Sequence, residues 1–360
     1  NRLSGNFDIY KNLTNDLLLN FPVSGVGYDF QYRNMGQNQN KGFEATINVV
    51  AIEKAKYGLN FSFNMSVNKN RINSLGIMSD FGQATGWASS QIGDDYLIAV
   101  GSSLGSMYGY RNDGRYEVSD FDYVGGKYVL KSDVVNTSTS LVGDGSSLKP
   151  GDMKLKDING DGKVDINDKT VIGHYNPKSS GGFVINGNAY GFDLMAAFNW
   201  SIGNDVYNAD KIEFSTATAS GEYKNLNSTM ADGKRWTNLD SNTGELVTDP
   251  TALAALNANT TMWSPYMRQA IFTDWAVEDA SFLRLNTLTL GYSMPEMFTS
   301  KLGVSKLRFY LTGSNIFVWT NYSGSDPEVS TKRKTPLTPG VDSSPYPRSR
   351  QMIFGMNLNF

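Results

Sequence analysis

Between Tyr57 and Asn68 the chain alternates without a break. Tyr57, Leu59, Phe61, Phe63, Met65 and Val67 fall on one side, and Gly58, Asn60, Ser62, Asn64, Ser66 and Asn68 on the other. A period of two is the strand period, because successive side chains point to opposite faces. The apolar side has to be buried in something, and the polar side has to be wet or hydrogen-bonded. The last stretch repeats the pattern: Met352, Phe354, Met356, Leu358 and Phe360 oppose Gln351, Gly355, Asn357 and Asn359, with Ile353 the one apolar exception. A barrel wall with lipid outside and water inside satisfies both demands.

The same alternation marks the other strand candidates. Leu3 to Tyr10 is followed by a polar turn, Lys11 to Asp16, and a return strand, Leu17 to Phe21. Phe43 to Ala51 pairs with Tyr57 to Asn68 across Glu53 to Lys56. Tyr96 to Val100 and Ser106 to Tyr110 flank Gly101 to Gly105. Phe183 to Ala189 and Phe192 to Ser201 flank Tyr190-Gly191. Ala280 to Tyr292, Ser305 to Trp319 and the terminal strand complete about eleven. The apolar phase slips between Leu285 and Leu288 and again between Leu311 and Ile316, where bulges are expected. Short connections (11–16, 53–56, 101–105, 190–191, 294–304) alternate with long ones (22–38, 74–94, 112–180, 204–279, 321–347). Membrane barrels alternate periplasmic turns with external loops in this way, and bacterial single-chain barrels carry an even strand number. The expectation is an all-β transmembrane antiparallel barrel, of which this chain supplies a part. The long connections 112–180 and 204–279 become external loops, with a helical stretch near Asp205 to Thr216. Tyr10, Tyr57, Tyr190, Trp200, Tyr292 and Trp319, near strand ends, suit interfacial girdles.

Composition narrows the function classes. Lys+Arg is 32 against Asp+Glu 35, a formal charge of -3, which offers no basic stripe for nucleic acid. The absence of Cys removes disulfides and thiolate metal sites. No apolar run approaches the roughly 18–20 residues of a membrane helix. The chain opens on Asn1-Arg2-Leu3-Ser4-Gly5, already inside an alternating pattern, so a mature fragment or part of a longer protein is expected.

One constellation carries metal chemistry. Asp157 to Asp168 fits the calcium loop D-x-[DN]-x-[DN]-G with an acid at the twelfth place. Asp157, Asn159 and Asp161 supply side-chain oxygens, and Lys163 its backbone carbonyl. Asp165 acts directly or through water, and Asp168 stands where Glu is usual. Gly162 permits the sharp turn. A bare Asp/Asn/Gly turn is the simpler reading, but alternating acids with the Gly in place favour calcium. The ion would be structural, pinning a long external loop.

Nothing points to covalent catalysis. His174 is the only His, so no His-centred triad is available. Asp8, Glu44 and Asp193 sit on the polar faces of different strands and tune pore polarity instead of forming an acid/base pair. Trp87, Tyr108, Tyr110, Trp236, Trp263 and Tyr266 are loop aromatics that could stack on sugars or meet a partner, though single aromatics are more often local packing.

Several stretches together resemble the C-terminal part of SusC/RagA-like TonB-dependent outer-membrane transporters of Bacteroidetes. They are Asn40-Lys41-Gly42-Phe43-Glu44, Leu104 to Tyr110, Gly151 to Lys154 leading into Asp157 to Asp168, Val171-Ile172-Gly173, Ala280 to Leu285, Leu288 to Tyr292, Gly313 to Phe317 and Ser325-Asp326-Pro327-Glu328. The resemblance implies a 22-stranded barrel of which this chain is the last half. It further implies import of oligosaccharides or peptides, a SusD-like lipoprotein lid, drive by TonB through an N-terminal part with plug domain and TonB box outside this chain, and a dimer of transporter–lipoprotein pairs. The rivals are a secreted calcium-binding all-β adhesion or carbohydrate-binding protein, with two apolar faces meeting in a core, and a barrel enzyme, which needs a nucleophile–base pair.

Overall fold

The computed structural model describes residues 2–23, 27, 30–87, 92–218, 224–331 and 335–360. Eight strands form one sheet: β1 (Leu3–Pro22), β2 (Phe30–Glu53), β3 (Tyr57–Leu75), β4 (Ser179–Ala189), β5 (Phe192–Ile202), β6 (Phe282–Ser293), β7 (Lys306–Thr320) and β8 (Gln351–Asn359). They pair in chain order, each antiparallel to the next, and the sheet stays open with β1 and β8 as its edges. The fold is an arc of antiparallel barrel wall.

The register turns the sequence alternation into two surfaces. Gly5, Ile47, Phe63, Phe183, Phe198, Leu285 and Phe317 lie in one row across β1 to β7. One residue further along, the row is Asn6, Thr46, Asn64, Gly182, Asn199, Arg284 and Val318. No second sheet covers the apolar face among the described residues: Phe7 is 61%, Ile9 78% and Phe354 72% exposed. Phe61 and Phe63 are half-buried, and their cover comes from within the face. Phe63 stacks on Trp200 at 5.3 Å, Phe61 lies 6.0 Å from Phe183, and Phe183 stacks on Phe198 at 4.5 Å. A two-sheet sandwich is thereby removed. Trp200 and Trp319 mark the upper end of the apolar band, Tyr57, Phe192 and Tyr292 the lower end.

Two differences from the sequence expectation reduce eleven wall strands to eight, and a third shortens a loop. Lys11 to Asp16 is no turn: β1 runs through it with a bulge at Asn15-Asp16, where Asp16 takes φ 56°, so Leu3 to Tyr10 and Leu17 to Phe21 belong to one strand. Tyr10 consequently sits mid-strand on the polar face, its hydroxyl 3.1 Å from Asn68 Oδ1, and is no girdle residue. The segments around Tyr96 and Ser106 leave the wall and form a separate four-stranded sheet with 80–83 and 170–174. The loop expected over 22–38 is shorter, since β2 begins at Phe30.

The expected bulges are present. Ala197 and Phe198 of β5 pair with Thr287 and Leu285 of β6, leaving Asn286 as the extra residue. Opposite it, β7 passes from Ser314 to Phe317 with Asn315 and Ile316 unpaired, and Asn315 takes a left-handed backbone at φ 52°. The extra residue brings Leu283 and Leu285 back onto the face of Leu288 and Leu290.

Connections at one end are short (54–56, 190–191, 294–305), and at the other, besides 23–29, three (76–178, 203–281, 321–350) are long excursions. Gly101 to Gly105 belongs to the long-loop end, where the Gly101 amide donates to the Ile72 carbonyl at 2.8 Å. Among the described residues the excursions build two large apolar cores and a smaller cluster of Val206, Ala280, Tyr322 and Val329. One core joins Ile72 and Leu75 at the end of β3 to Tyr96, Met107, Tyr207 and Phe272. The other gathers Tyr116, Phe121, Val142, Leu155, Val164 and Trp263. The helix near Asp205 to Thr216 narrows to Ala209–Glu213, preceded by a strand at Asp205–Asn208.

Candidate functional site

The polar face of the wall is a ladder of small amides and hydroxyls. Asn68 Nδ2 donates to Asn40 Oδ1 at 3.1 Å, and Asn70 Nδ2 to Asn38 at 2.9 Å and Asn40 at 3.0 Å. Thr289 and Thr312 share a hydrogen bond of 2.9 Å. The three carboxylates expected on this face stay apart: Asp8 accepts from Asn6, Glu44 from Ser66, and Asp193 pairs with Arg308. Such a surface is wettable and hydrogen-bonding without a fixed strong charge.

Higher on the same face a buried cation organises the chain after β7. Arg284, 2% exposed, donates from Nη1 to Asn315 Oδ1 at 2.6 Å and from Nη2 to Asp326 Oδ1 at 2.7 Å. Its Nε lies 2.9 Å from Glu328 Oε2, close enough for an ion pair but off the line of the N–H. Arg348 bridges the same two acids, Nε to Asp326 Oδ2 at 3.1 Å and Nη1 to Glu328 Oε2 at 3.0 Å. Beside this cluster is a cleft of about 470 Å³, lined by Asn64, Tyr175, Asn199, Pro327, Glu328 and Arg348 among others.

The calcium-type loop folds as a tight acidic turn. Asp157 accepts the amides of Gly160 (2.7 Å) and Gly162 (2.8 Å), Asp161 that of Lys163 (2.9 Å), and Asp165 that of Asn167 (2.8 Å). Asp168, fully buried, accepts from Ile158 and Asp165 at 2.8 Å and from Asn159 at 3.3 Å. Gly162 adopts φ +83°, a conformation that L side chains resist. The amides hold the Asp157 carboxyl below its usual range, the Gly162 amide first. Among the described residues no three His, Cys, Asp or Glu side chains converge on one point. The donor chemistry still fits a hard cation: a carboxylate has about four lone-pair sites, so two or three amide bonds leave capacity.

Most of the loop aromatics are packing. Tyr110, Trp236 and Trp263 are buried, and Trp87 donates from Nε1 to the Tyr207 hydroxyl at 2.6 Å. Tyr108 is half-buried beneath the Lys169 ammonium, 5.4 Å from its ring. Tyr266 alone of the six stands well out, 72% exposed. His174 closes a short strand, Thr170–His174, instead of lying in a loop. Two excursion carboxyls are pushed up to about 6 by burial: Asp95, held by the Thr85 amide at 2.7 Å and hydroxyl at 2.5 Å, and Asp152.

Sequence reasoning treated Arg284, Asp326 and Glu328 only as part of a resemblance and passed over Arg348. The available signal was Arg284 itself, a charge between Phe282 and Leu285 in a strand otherwise free of it. Its partners lie 31 and more residues on, where periodicity carries no information.

No family model matches the chain. Its whole length is 28% identical over 365 residues to TonB-dependent receptor P3 of Formosa agariphila, covering 32% of that protein. It is 27% identical over 369 residues to TonB-dependent receptor SusC of Bacteroides thetaiotaomicron, covering 30%. The RagAB peptide importer in its closed-closed state superposes on the whole chain with a TM-score of 0.68 at 22% identity, over 34% of that chain. The chain is SusC/RagA-like. It matches the C-terminal part of such receptors, about a third of their length, and its place is the outer membrane. The SusC/RagA-like sheet is thus an arc of a larger barrel type, and the relatives are named as receptors, not as enzymes.

Proposed function

We propose that this SusC/RagA-like chain forms wall and mouth of a TonB-dependent nutrient importer. The observation that supports this most is the two-faced sheet: apolar rows outward, a ladder of Asn, Ser and Thr inward, and large folded excursions at one end only. Solutes of the oligosaccharide or peptide class match the inner face, because each carries many donors and acceptors that neutral amides and hydroxyls can meet in turn. The excursions, facing the cell exterior, present the surface for a SusD-like lipoprotein, and transporter–lipoprotein pairs assemble as dimers. TonB acts through the N-terminal part of the full receptor. Passage needs no covalent chemistry.

Calcium belongs to the same proposal. Asp157, Asn159, Asp161, Asp165 and Asp168 would hold it through side-chain oxygens, and Lys163 through its carbonyl. The reading is tested by uptake of labelled oligosaccharide and peptide pools into cells carrying the full receptor, with and without TonB. Saturable uptake that disappears without TonB supports it. Equal uptake in both strains, or none from either pool, overturns it.

A further inference from the structure

The chain between β7 and β8 returns onto the polar face of the wall and is held there by charge. We propose that the Asp326–Pro327–Glu328 turn is a fixed strap, clasped by Arg284 and Arg348, that stands as a permanent constriction beside β4 to β6 and does not swing away during transport. The proposal rests on the importer reading only for the word transport; the clasp itself is geometric.

Four relations carry it. Arg284 points from the row of Asn64, Gly182 and Asn199, so whatever it binds lies on the polar side. Its guanidinium is spent on three partners from two separate segments, hydrogen bonds to Asn315 of β7 and Asp326 of the turn and an ion pair to Glu328. The left-handed backbone at Asn315 aims that side chain at Arg284, while its amide nitrogen donates to the carbonyls of Arg348 (3.4 Å) and Ser349 (3.3 Å). The acids of the turn and the backbone at Arg348 therefore meet two wall residues, Arg284 and Asn315, that are hydrogen-bonded to each other. Two cations face two anions, so the cluster is neutral as it stands. Lifting the turn away strands a buried guanidinium without a counter-charge, which is strongly unfavourable. Asp326 also accepts the Glu328 amide at 2.8 Å, which stiffens the turn independently of the wall. Arg284 is thus a positioning residue: it acts on passage only by where it keeps Pro327 and Glu328.

The test uses the full receptor in cells. Asn64 and Pro327 line one cleft, and this chain has no native Cys. Asn64→Cys with Pro327→Cys is bridged by a short bifunctional thiol reagent, in energised cells and in cells treated with an uncoupler. The expected result is the same extent of cross-linking in both. Adding Arg284→Met should lower the cross-linking rate by ~tenfold or more, since the strap loses its buried counter-charge. Because that variant leaves two acids unpaired, a second one combines Arg284→Met with Asp326→Asn and Glu328→Gln, and should lose cross-linking while keeping the mobility difference between boiled and unboiled protein. Lower cross-linking in energised cells than in uncoupled ones shows a moving strap and overturns the proposal. So does unchanged cross-linking in the neutralised variant. Loss of the importer reading would show instead as absent TonB-dependent uptake with the cross-linking pattern intact.

Discussion

Arg308 of β7 reaches over Gly291 of β6 to meet Asp193 of β5, with Nε 2.9 Å from Oδ1 and Nη2 2.5 Å from Oδ2. The two partners are not on adjacent strands. A Cβ on Gly291 would lie 2.4 Å from Arg308 Nη2 and 2.5 Å from Asp193 Oδ1, so the missing side chain is what lets the pair close. Gly291→Ala should push the two apart. Both ends are partly exposed, at 20% and 37%, so the loss is small, below about 1 kcal/mol in urea unfolding of the refolded barrel. The same substitution should have no effect in an Arg308→Gln background, where nothing remains to separate.

The face assignment has a sharper test at the middle of β4. Ile185 pairs with Phe61 and Ala196 on the apolar face, and the next residue, Asn186, with Asn60 on the polar face. Ile185→Arg should destabilise the barrel in lipid by roughly 2–4 kcal/mol, as a charge at bilayer depth does, whereas Asn186→Arg should be near neutral. Equal effects would mean that the two sides face the same medium.

The acidic turn predicts a calcium response. Added calcium at about 10⁻⁴–10⁻³ M should slow proteolysis of the 157–168 region in the full receptor, and Asp157→Ala should abolish the effect. The Asp157 carboxyl is held low by its amide bonds, so its contribution is present at neutral pH and fades as acid protonates it below its ordinary range. Calcium protection should disappear over that same acidic window.

A second pH effect runs the other way. Asp95 and Asp152 are raised from 3.8 to about 6 by burial. The folded state then binds more protons than the unfolded one between those values, so stability falls as pH rises through that window and the penalty is complete above about 6. The excursions should therefore melt at higher temperature at pH ~5 than at pH ~7, with each group responsible for roughly 1 kcal/mol of that difference. Asp95→Asn with Asp152→Asn should flatten that dependence in a thermal scan followed by near-ultraviolet circular dichroism.

How much of this was readable in the residues depended on what each segment touches. Inside the apolar band the alternation is enforced by two different media, so Phe61, Phe183 and Phe198 announced their face, and even the slip at Asn286 showed as a change of phase. Beyond the band that pressure vanishes. The polar run Lys11 to Asp16 looks like a turn because nothing there requires an apolar side, yet the backbone ladder resumes after a bulge at Asn15-Asp16 and runs on to Pro22. The strands at Tyr96 and Ser106 misled for the opposite reason: they are buried in a core of the excursions and borrow the same apolar signature. The clasp lay out of reach, since Arg284, Asp326 and Arg348 meet by tertiary folding alone.

The open rims of the sheet have a consequence for handling this polypeptide by itself. Along the outer margins of β1 and β8 a line of amides and carbonyls has no neighbouring strand among the described residues, and an oily medium offers none. Two such margins of the same molecule are complementary templates. Purified alone into micelles, the arc should zip rim to rim into ribbons whose size grows with concentration, a behaviour that light scattering would register well before any assay of uptake.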